Sequence, residues 1–521
     1  MRPFISLFLR AAAIAALAVP SLRAIGQPLA AGHDKFLGCG TSEPMWSGLK
    51  LYWNQVTPGN DGKWGSVEGA QGQYNLSNLD DIYTFAVNNG IRFKEHTLVW
   101  GSQQPSWIDA LDSASQRMAV ANWINLIGQR YPSASFIDVV NEPFHSPPSY
   151  KTGLGGNGAT GWDWVISAFQ LARQYCVPGV KLLLNEYNIL QDNTVTTNYM
   201  NLITLLKDRG LIDGIGIQGH YFEFRSEVAA TSNIYIYDVN TIKANLNRLA
   251  GLGLPIYITE FDVDEPVDSV QLAQYKIYFP VFWTNPAVKG ITFWGYIQND
   301  VWNAHPNTYL FLTNGTERPA LRWLRTFIAT PMPPTLLSPV STSGELRNPL
   351  LAWTSSAGAN SYRVQVSKGS GFTSIDLDTV VVDTIVRISP LAASTRYYWH
   401  VCAANDSGSG VYSNYAGFVT GDQVSSVAEG SGKSERFGLE QNYPNPFNPT
   451  TVVSGQWTVD SGVRLAVYDL LGREVAVLAA GRYPAGKYAF AFDGTNLSSG
   501  VYFCRLTAGS YTAVRKMTLM K

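Results

Sequence analysis

The stretch Phe136-Ile-Asp-Val-Val-Asn-Glu142-Pro143 constrains the fold more than any other part of the chain. A mostly apolar, β-branched run stops abruptly at an amide and a carboxylate, and a proline follows. Such a run reads as a short strand buried on both faces, with Asn141 and Glu142 at its C-terminal lip. Leu254-Pro-Ile-Tyr-Ile-Thr-Glu260 repeats the form, an apolar strand ending on a carboxylate. Strands buried on both faces belong to parallel sheets covered by helices, so the surrounding sequence must supply both.

It does so from about Phe36 to Ile328. Strands are predicted at Lys35–Cys39, Leu51–Val56, Arg92–Leu98, Phe136–Val140, Lys181–Leu184, Gly214–Gln218, Ile256–Thr259 and Gly290–Phe293. Amphipathic stretches separate them: Leu76–Asn89, Ala114–Tyr131, Trp162–Cys176, Tyr199–Arg209 and Val239–Gly251. Eight strands alternating with helices over this length predict an α/β fold, a (β/α)8 TIM barrel. A doubly wound sheet is the alternative, but no Gly-rich phosphate fingerprint follows the first strand. In a barrel, catalytic groups stand at the C-terminal lip, and two carboxylates facing one cleft there are the minimal equipment for hydrolysing a glycosidic bond.

The full 521 residues exceed one ordinary domain. Basic and acidic side chains balance at 38 against 39, which gives no reason to expect a nucleic-acid or anionic-membrane partner. Residues 1–24 read as a signal peptide: Arg2, the apolar core Ala11–Val19 (too short to span a bilayer) and the small-residue site Ser21-Leu-Arg-Ala24. No other apolar run approaches spanning length, so no transmembrane segment is expected. Cys39, Cys176, Cys402 and Cys504 are scattered without metal-ligand spacing; a Cys39–Cys176 disulfide is allowed after export but not demanded.

The barrel is assigned to 25–329. Thr330-Pro-Met-Pro-Pro-Thr335 suits a semi-rigid linker, and short turn-bounded strands then run to Gly421, so 330–421 reads as linker plus a small β-sandwich. Its Trp353, Tyr362, Tyr397-Tyr-Trp-His-Val401 and Phe418-Val-Thr420 resemble a fibronectin type III module. Residues 422–440, rich in Ser, Gly and Glu, read as a flexible linker. The last region, 441–521, is predicted as a second small β-sandwich. Its Asn442-Tyr-Pro-Asn-Pro-Phe-Asn-Pro-Thr450, Leu465–Val475, Ser499-Gly-Val-Tyr-Phe503 and Met517–Lys521 resemble the C-terminal sorting domain recognised by the type IX secretion system. That resemblance implies the export machinery as partner and a secreted or cell-surface location.

The barrel region carries seven blocks in order: Trp53-Asn-Gln-Val-Thr-Pro58 with Asn60, Lys63 and Trp64; His96-Thr-Leu-Val-Trp100; Asp138–Glu142; Asn185-Glu-Tyr-Asn188; Gly216–His220; Ile258–Asp262; and Thr292-Phe-Trp-Gly295 with Trp302. Together they resemble the glycoside hydrolase family 10 endo-xylanases. The resemblance implies a secreted retaining endo-1,4-β-xylanase, with xylan or a related β-linked polysaccharide as partner and no cofactor or metal. It makes Glu142 the general acid/base and Glu260 the nucleophile. Glu142 should then hold its proton near neutral pH while Glu260 stays ionised. His220 and Asp262 match the positions that support the nucleophile. Asn60, Lys63, His96, Gln103, Asn141 and Gln218 match sugar-binding positions, and Trp100, Trp294 and Trp302 match aromatic walls. Tyr187 is a further cleft candidate without an assigned role. Two positions depart from the pattern: Gly59 stands where the family usually has Glu, and Gly101 where it usually has a second His. These leave open an endo-glycanase on cellulose or mixed-linkage glucan; a non-catalytic carbohydrate-binding protein, whose barrel has lost activity, is a separate alternative.

Overall fold

The computed structural model describes residues 27–228, 233–236, 238–422, 437–459, 461–483 and 485–520. The signal-peptide assignment, and 423–436 of the linker, lie outside the described residues.

Eight parallel strands close into a barrel in chain order: β1 Phe36–Thr41, β2 Gln55–Pro58, β3 Arg92–Val99, β4 Phe136–Asn141, β5 Lys181–Glu186, β6 Gly214–Ile217, β7 Ile256–Phe261 and β8 Val288–Phe293. β8 pairs back onto β1, Phe36 against Gly290 through Cys39 against Phe293. Most positions of these strands are buried on both faces, which explains why they read as continuous apolar runs. One layer at the barrel's base is filled by Phe36, Phe136, Leu183 and Tyr257.

Among the described residues, seven helices of ten or more residues cover the barrel: α1 Ser77–Asn88, α2 Ser113–Arg130, α3 Asp163–Tyr175, α4 Asn193–Lys207, α5 Val239–Ala250, α6 Asp268–Trp283 and α7 Pro319–Ile328. The connection from β1 to β2 holds only a one-turn 3-10 helix, Leu49–Leu51. The expected strand Leu51–Val56 is therefore corrected to Gln55–Pro58, because the side chain of Trp53 drives into the core while Leu51 lies at the surface. Caps set the starts of several helices. Asp112, Asp192 and Asp238 each accept backbone N–H groups of the first turn. The Asp192 cap starts α4 at Asn193, earlier than the apolar pattern alone places it.

Beyond the barrel, a three-stranded sheet (Leu336–Ser338, Leu350–Trp353, Ile385–Arg387) faces a larger, mostly antiparallel one built on Ser361–Ser367 and Arg396–Asn405. They share a core of Leu351, Trp353, Val364, Trp399 and Phe418. The last region again pairs two sheets, one on Thr450–Trp457 and one on Ser461–Tyr468 and Gly500–Ala508, around Trp457, Leu465 and Met517. All four cysteines are buried and free, so Cys39 and Cys176 form no disulfide. Among the described residues no helix is long and apolar enough to cross a membrane.

Candidate active site

The C-terminal ends of the strands open into one cleft of about 570 Å3. Glu142 and Glu260 both line it, each one step past or at the end of its strand. Register explains how they come together. Asn141 at the end of β4 pairs with Asn185 on β5, and Asn185 pairs with Gly216 on β6. Three amide side chains therefore sit side by side beneath the carboxylates. Gln218 Nε2 donates to Glu142 Oε1 at 3.0 Å and to Asn141 Oδ1 at 3.2 Å. Asn185 Nδ2 donates to the same Asn141 oxygen at 2.9 Å and to Glu260 Oε1 at 2.8 Å. Thr259 fixes the Asn185 amide by donating to its Oδ1 at 2.6 Å. The two carboxylates are joined through this chain of three amides.

Their surroundings differ. Burial by itself would raise the Glu260 carboxyl, but a hydrogen bond from His220 and the positive charges of His96, His220 and Lys94 outweigh it and hold it down at about 2. His220 Nε2 lies 3.3 Å from Glu260 Oε2. Its other nitrogen, Nδ1, is 2.7 Å from Asp262 Oδ2, and Asp262 Oδ1 accepts the backbone N–H of Tyr221 at 2.8 Å. Burial disfavours the imidazolium, yet the two carboxylates hold His220 well above 6.5. A negative carboxylate backed by a fixed positive ring is the result.

Glu142 is gripped differently. Trp100 Nε1 and Ser146 Oγ both donate to its Oε2, at 2.9 and 2.8 Å. Its backbone is left-handed, with φ of 53°, a conformation uncommon for a residue with a side chain. The following turn compensates: the Ser146 N–H returns to the Glu142 carbonyl at 2.8 Å.

Lys63 lines the same cleft, mostly buried, its ammonium 4.9 Å from the Trp100 ring and 3.2 Å from Asn60 Oδ1. Burial lowers its proton affinity while Glu260 and Glu142 oppose that. His96 lines the cleft and is anchored from below, its Nδ1 2.8 Å from Asp138 Oδ2; Lys94 reaches the same oxygen at 2.7 Å. Gln103 donates to Asn60. Trp294 meets His96 edge-on, and Trp302, 46% exposed, leans over His220. Tyr187 also faces the cleft, stacked on His145 at 4.0 Å. Among the described residues no group of His, Cys, Asp and Glu could hold a metal ion.

The model of glycosyl hydrolase family 10 matches residues 30–327, more than half of the chain. The chain belongs to that family. The model of the secretion system C-terminal sorting domain matches 441–520, which marks the protein for type IX secretion, to be released or held at the cell surface. Endo-1,4-beta-xylanase B of Cellvibrio japonicus is 41% identical over 295 residues, covering 56% of this chain and 45% of that relative. Less than half of that protein's length is thus spanned. Endo-1,4-beta-xylanase of Agaricus bisporus is 30% identical over 286 residues, 51% of this chain and 82% of the relative. Among solved structures, xylanase 10B from Thermotoga petrophila RKU-1 in complex with xylobiose is similar at 25% identity and a TM-score of 0.48, over 57% of this chain and 95% of that one.

Within this family 10 cleft, all the sugar-site candidates read from sequence reach the wall, and Asp262 stands behind His220. Several contributors carried no assignment. Asn185 opens the Asn185-Glu-Tyr-Asn188 motif, but its link between Asn141 and Glu260 depends on strand register. Ser146 and Phe222 have no motif at all; Phe222 enters because the chain turns sharply after His220, where Glu223 accepts the His220 N–H. Of the two glycine departures, the one at 101 has a steric cause. A Cβ at Gly101 would lie 2.5 Å from the Pro147 carbonyl and 2.6 Å from that of Ser146. A Cβ at Gly59 would lie 3.3 Å from Ser42 Oγ.

Proposed function

We propose that the barrel is a retaining endo-1,4-β-xylanase acting on internal bonds of xylan, with Glu260 as nucleophile and Glu142 as acid/base. The observation that carries this reading is the amide-linked pair of carboxylates in one cleft, with Glu260 held ionised by His220. A sugar polymer lying across the barrel mouth presents its anomeric carbon to Glu260 and its glycosidic oxygen to Glu142. Glu142 gives its proton to the leaving oxygen as Glu260 attacks, forming the glycosyl-enzyme. Glu142, now a base, takes a proton from the water that releases the sugar and leaves Glu260 free.

Asn141 binds the 2-hydroxyl of the reacting sugar, a contact that strengthens as positive charge develops at the ring. Gln218, Lys63, Asn60, His96 and Gln103 bind the remaining hydroxyls, while Trp100, Trp294 and Trp302 offer flat apolar faces to sugar C–H groups. His220 and Asp262 act on Glu260 and touch no substrate. The type IX export machinery is the partner proposed for 441–521.

The test is reducing-sugar release from xylan, cellulose and mixed-linkage glucan, with Glu142→Ala and Glu260→Ala beside the wild type. Loss of xylan hydrolysis in both variants is expected. Wild-type turnover surviving in either would defeat the residue assignment, and preference for a glucan would defeat the substrate.

A further inference from the structure

Asp300 stands in the loop after β8, at a corner of the mouth where β8, β1 and β2 meet. Its backbone N–H is tied to Ile297, and its side chain meets Ser42 and lines the cleft together with Gly59 and Asn60. Oδ2 accepts from Thr41 Oγ1 at 2.8 Å and from the Ser42 N–H at 3.0 Å. Burial raises this carboxyl, these donors counter the rise, and the nearby Asp61 adds to it. Half-burying a carboxylate in a cleft costs solvation unless it has hydrogen-bond donors to face.

Sugar hydroxyls are such donors. Resting on the function proposed above, Asn60 and Lys63 hold the sugar that Glu260 attacks. The chain of sugars therefore continues, away from the leaving group, toward the corner where Asp300 sits. The neighbouring position 59 contributes no side chain, and the space a Cβ would take is bounded by Ser42 Oγ and the Thr41 carbonyl. We infer that Asp300 accepts hydroxyl hydrogen bonds from the second sugar on the retained side, making it the specificity-determining carboxylate of that subsite.

The rival is that Asp300 merely anchors the Thr41–Ser42 turn. Asp300→Asn separates the two, because its amide oxygen still accepts from Thr41 and Ser42 while the charge is gone. The measurement is kcat/KM of the full chain on 4-nitrophenyl β-xylobioside, which fills two retained-side positions, divided by that on 4-nitrophenyl β-xyloside, which fills one. The ratio is expected to fall roughly ten- to a hundredfold, the worth of hydrogen bonds to a charged acceptor, and Asp300→Ala should match or exceed it. An unchanged ratio, whether both rates drop together or neither does, overturns the inference and leaves the xylanase reading intact. Wild-type protein inert on both glycosides and on xylan sinks that reading and this inference with it.

Discussion

The electrostatic design of the site can be probed at His220, whose Nε2 lies 3.3 Å from Glu260 Oε2. The Glu260 carboxyl is held at about 2 against an ordinary 4.5, a difference worth roughly 3 kcal/mol in favour of the ionised form. Because the folded value is depressed, that stabilisation is fully present above 4.5 and is lost as pH falls from there toward about 2. His220→Gln keeps an N–H donor but removes the positive charge. The desolvation of a nearly buried carboxylate is then less opposed, and the Glu260 carboxyl moves up toward 4.5. At pH 4.5 the wild type keeps nearly all of its Glu260 ionised, whereas the variant at that limit keeps about half. The assay is kcat/KM for an aryl xylobioside from pH 3 to 8, with return to pH 7 at each point to show that the fold survives. The acid limb of the variant should lie at higher pH than that of the wild type. Coincident acid limbs would refute the argument that His220 sets the charge of Glu260.

Four further outcomes are expected. Glu142→Ala should lower kcat on xylan by about 10²- to 10⁴-fold, the range of general acid–base catalysis, yet spare the first step on a dinitrophenyl glycoside, whose leaving group needs no proton; burst kinetics check this. Proton NMR of fresh xylo-oligosaccharide digests should show the β-anomer first, and an α-anomer would exclude Glu260 as nucleophile. Gly101→Ala forces a Cβ to within 2.5 Å of the Pro147 carbonyl and should cost about 1–3 kcal/mol, read as a drop in the denaturation midpoint. Trp123→Ala removes a fully buried ring stacked 5.8 Å from Trp64 and should cost about 3–5 kcal/mol by the same measurement, with KM for xylo-oligosaccharides little changed.

Most of the barrel was legible because its signal is dense and local. β4 and β7 are each a mostly apolar run with a carboxylate at its C-terminal end, and their ends fell within one or two residues of expectation. Where the apolar residues serve packing instead of extension, the reading slipped. Around Leu51–Trp53 the chain makes a 3-10 turn to bury Trp53, and the strand begins only at Gln55. α6 carries Pro280 inside it and is apolar nearly all round, so it presents no amphipathic stripe; it escaped the helix pattern altogether. The carboxylates, His220 and Asp262 could be named because each stands in a compact motif. Ser146, Phe222 and Asp300 could not. Asp300 meets Ser42 only because β8 closes onto β1, a neighbourhood made by topology across 258 positions of sequence.

The departures at 59 and 101 make physical sense once the loops are seen. At 101 a side chain is excluded by the backbone of Ser146 and Pro147, and that same turn delivers Ser146 Oγ to Glu142. The backbone that excludes a side chain at 101 is therefore the same one that carries a hydroxyl donor to the acid/base candidate. At 59 the wall is completed from elsewhere, by Ser42 and Asp300, across the β8–β1 seam. Neither change reaches the amide chain between Glu142 and Glu260, whose partners all lie on β4, β5, the end of β6 and β7. A barrel separates these two layers by construction: strand register fixes the reacting groups, and loops, free to vary in length and path, decide what lies beyond them. Variation at the rim should therefore alter which glycan chains are accepted before it alters the chemistry performed on them.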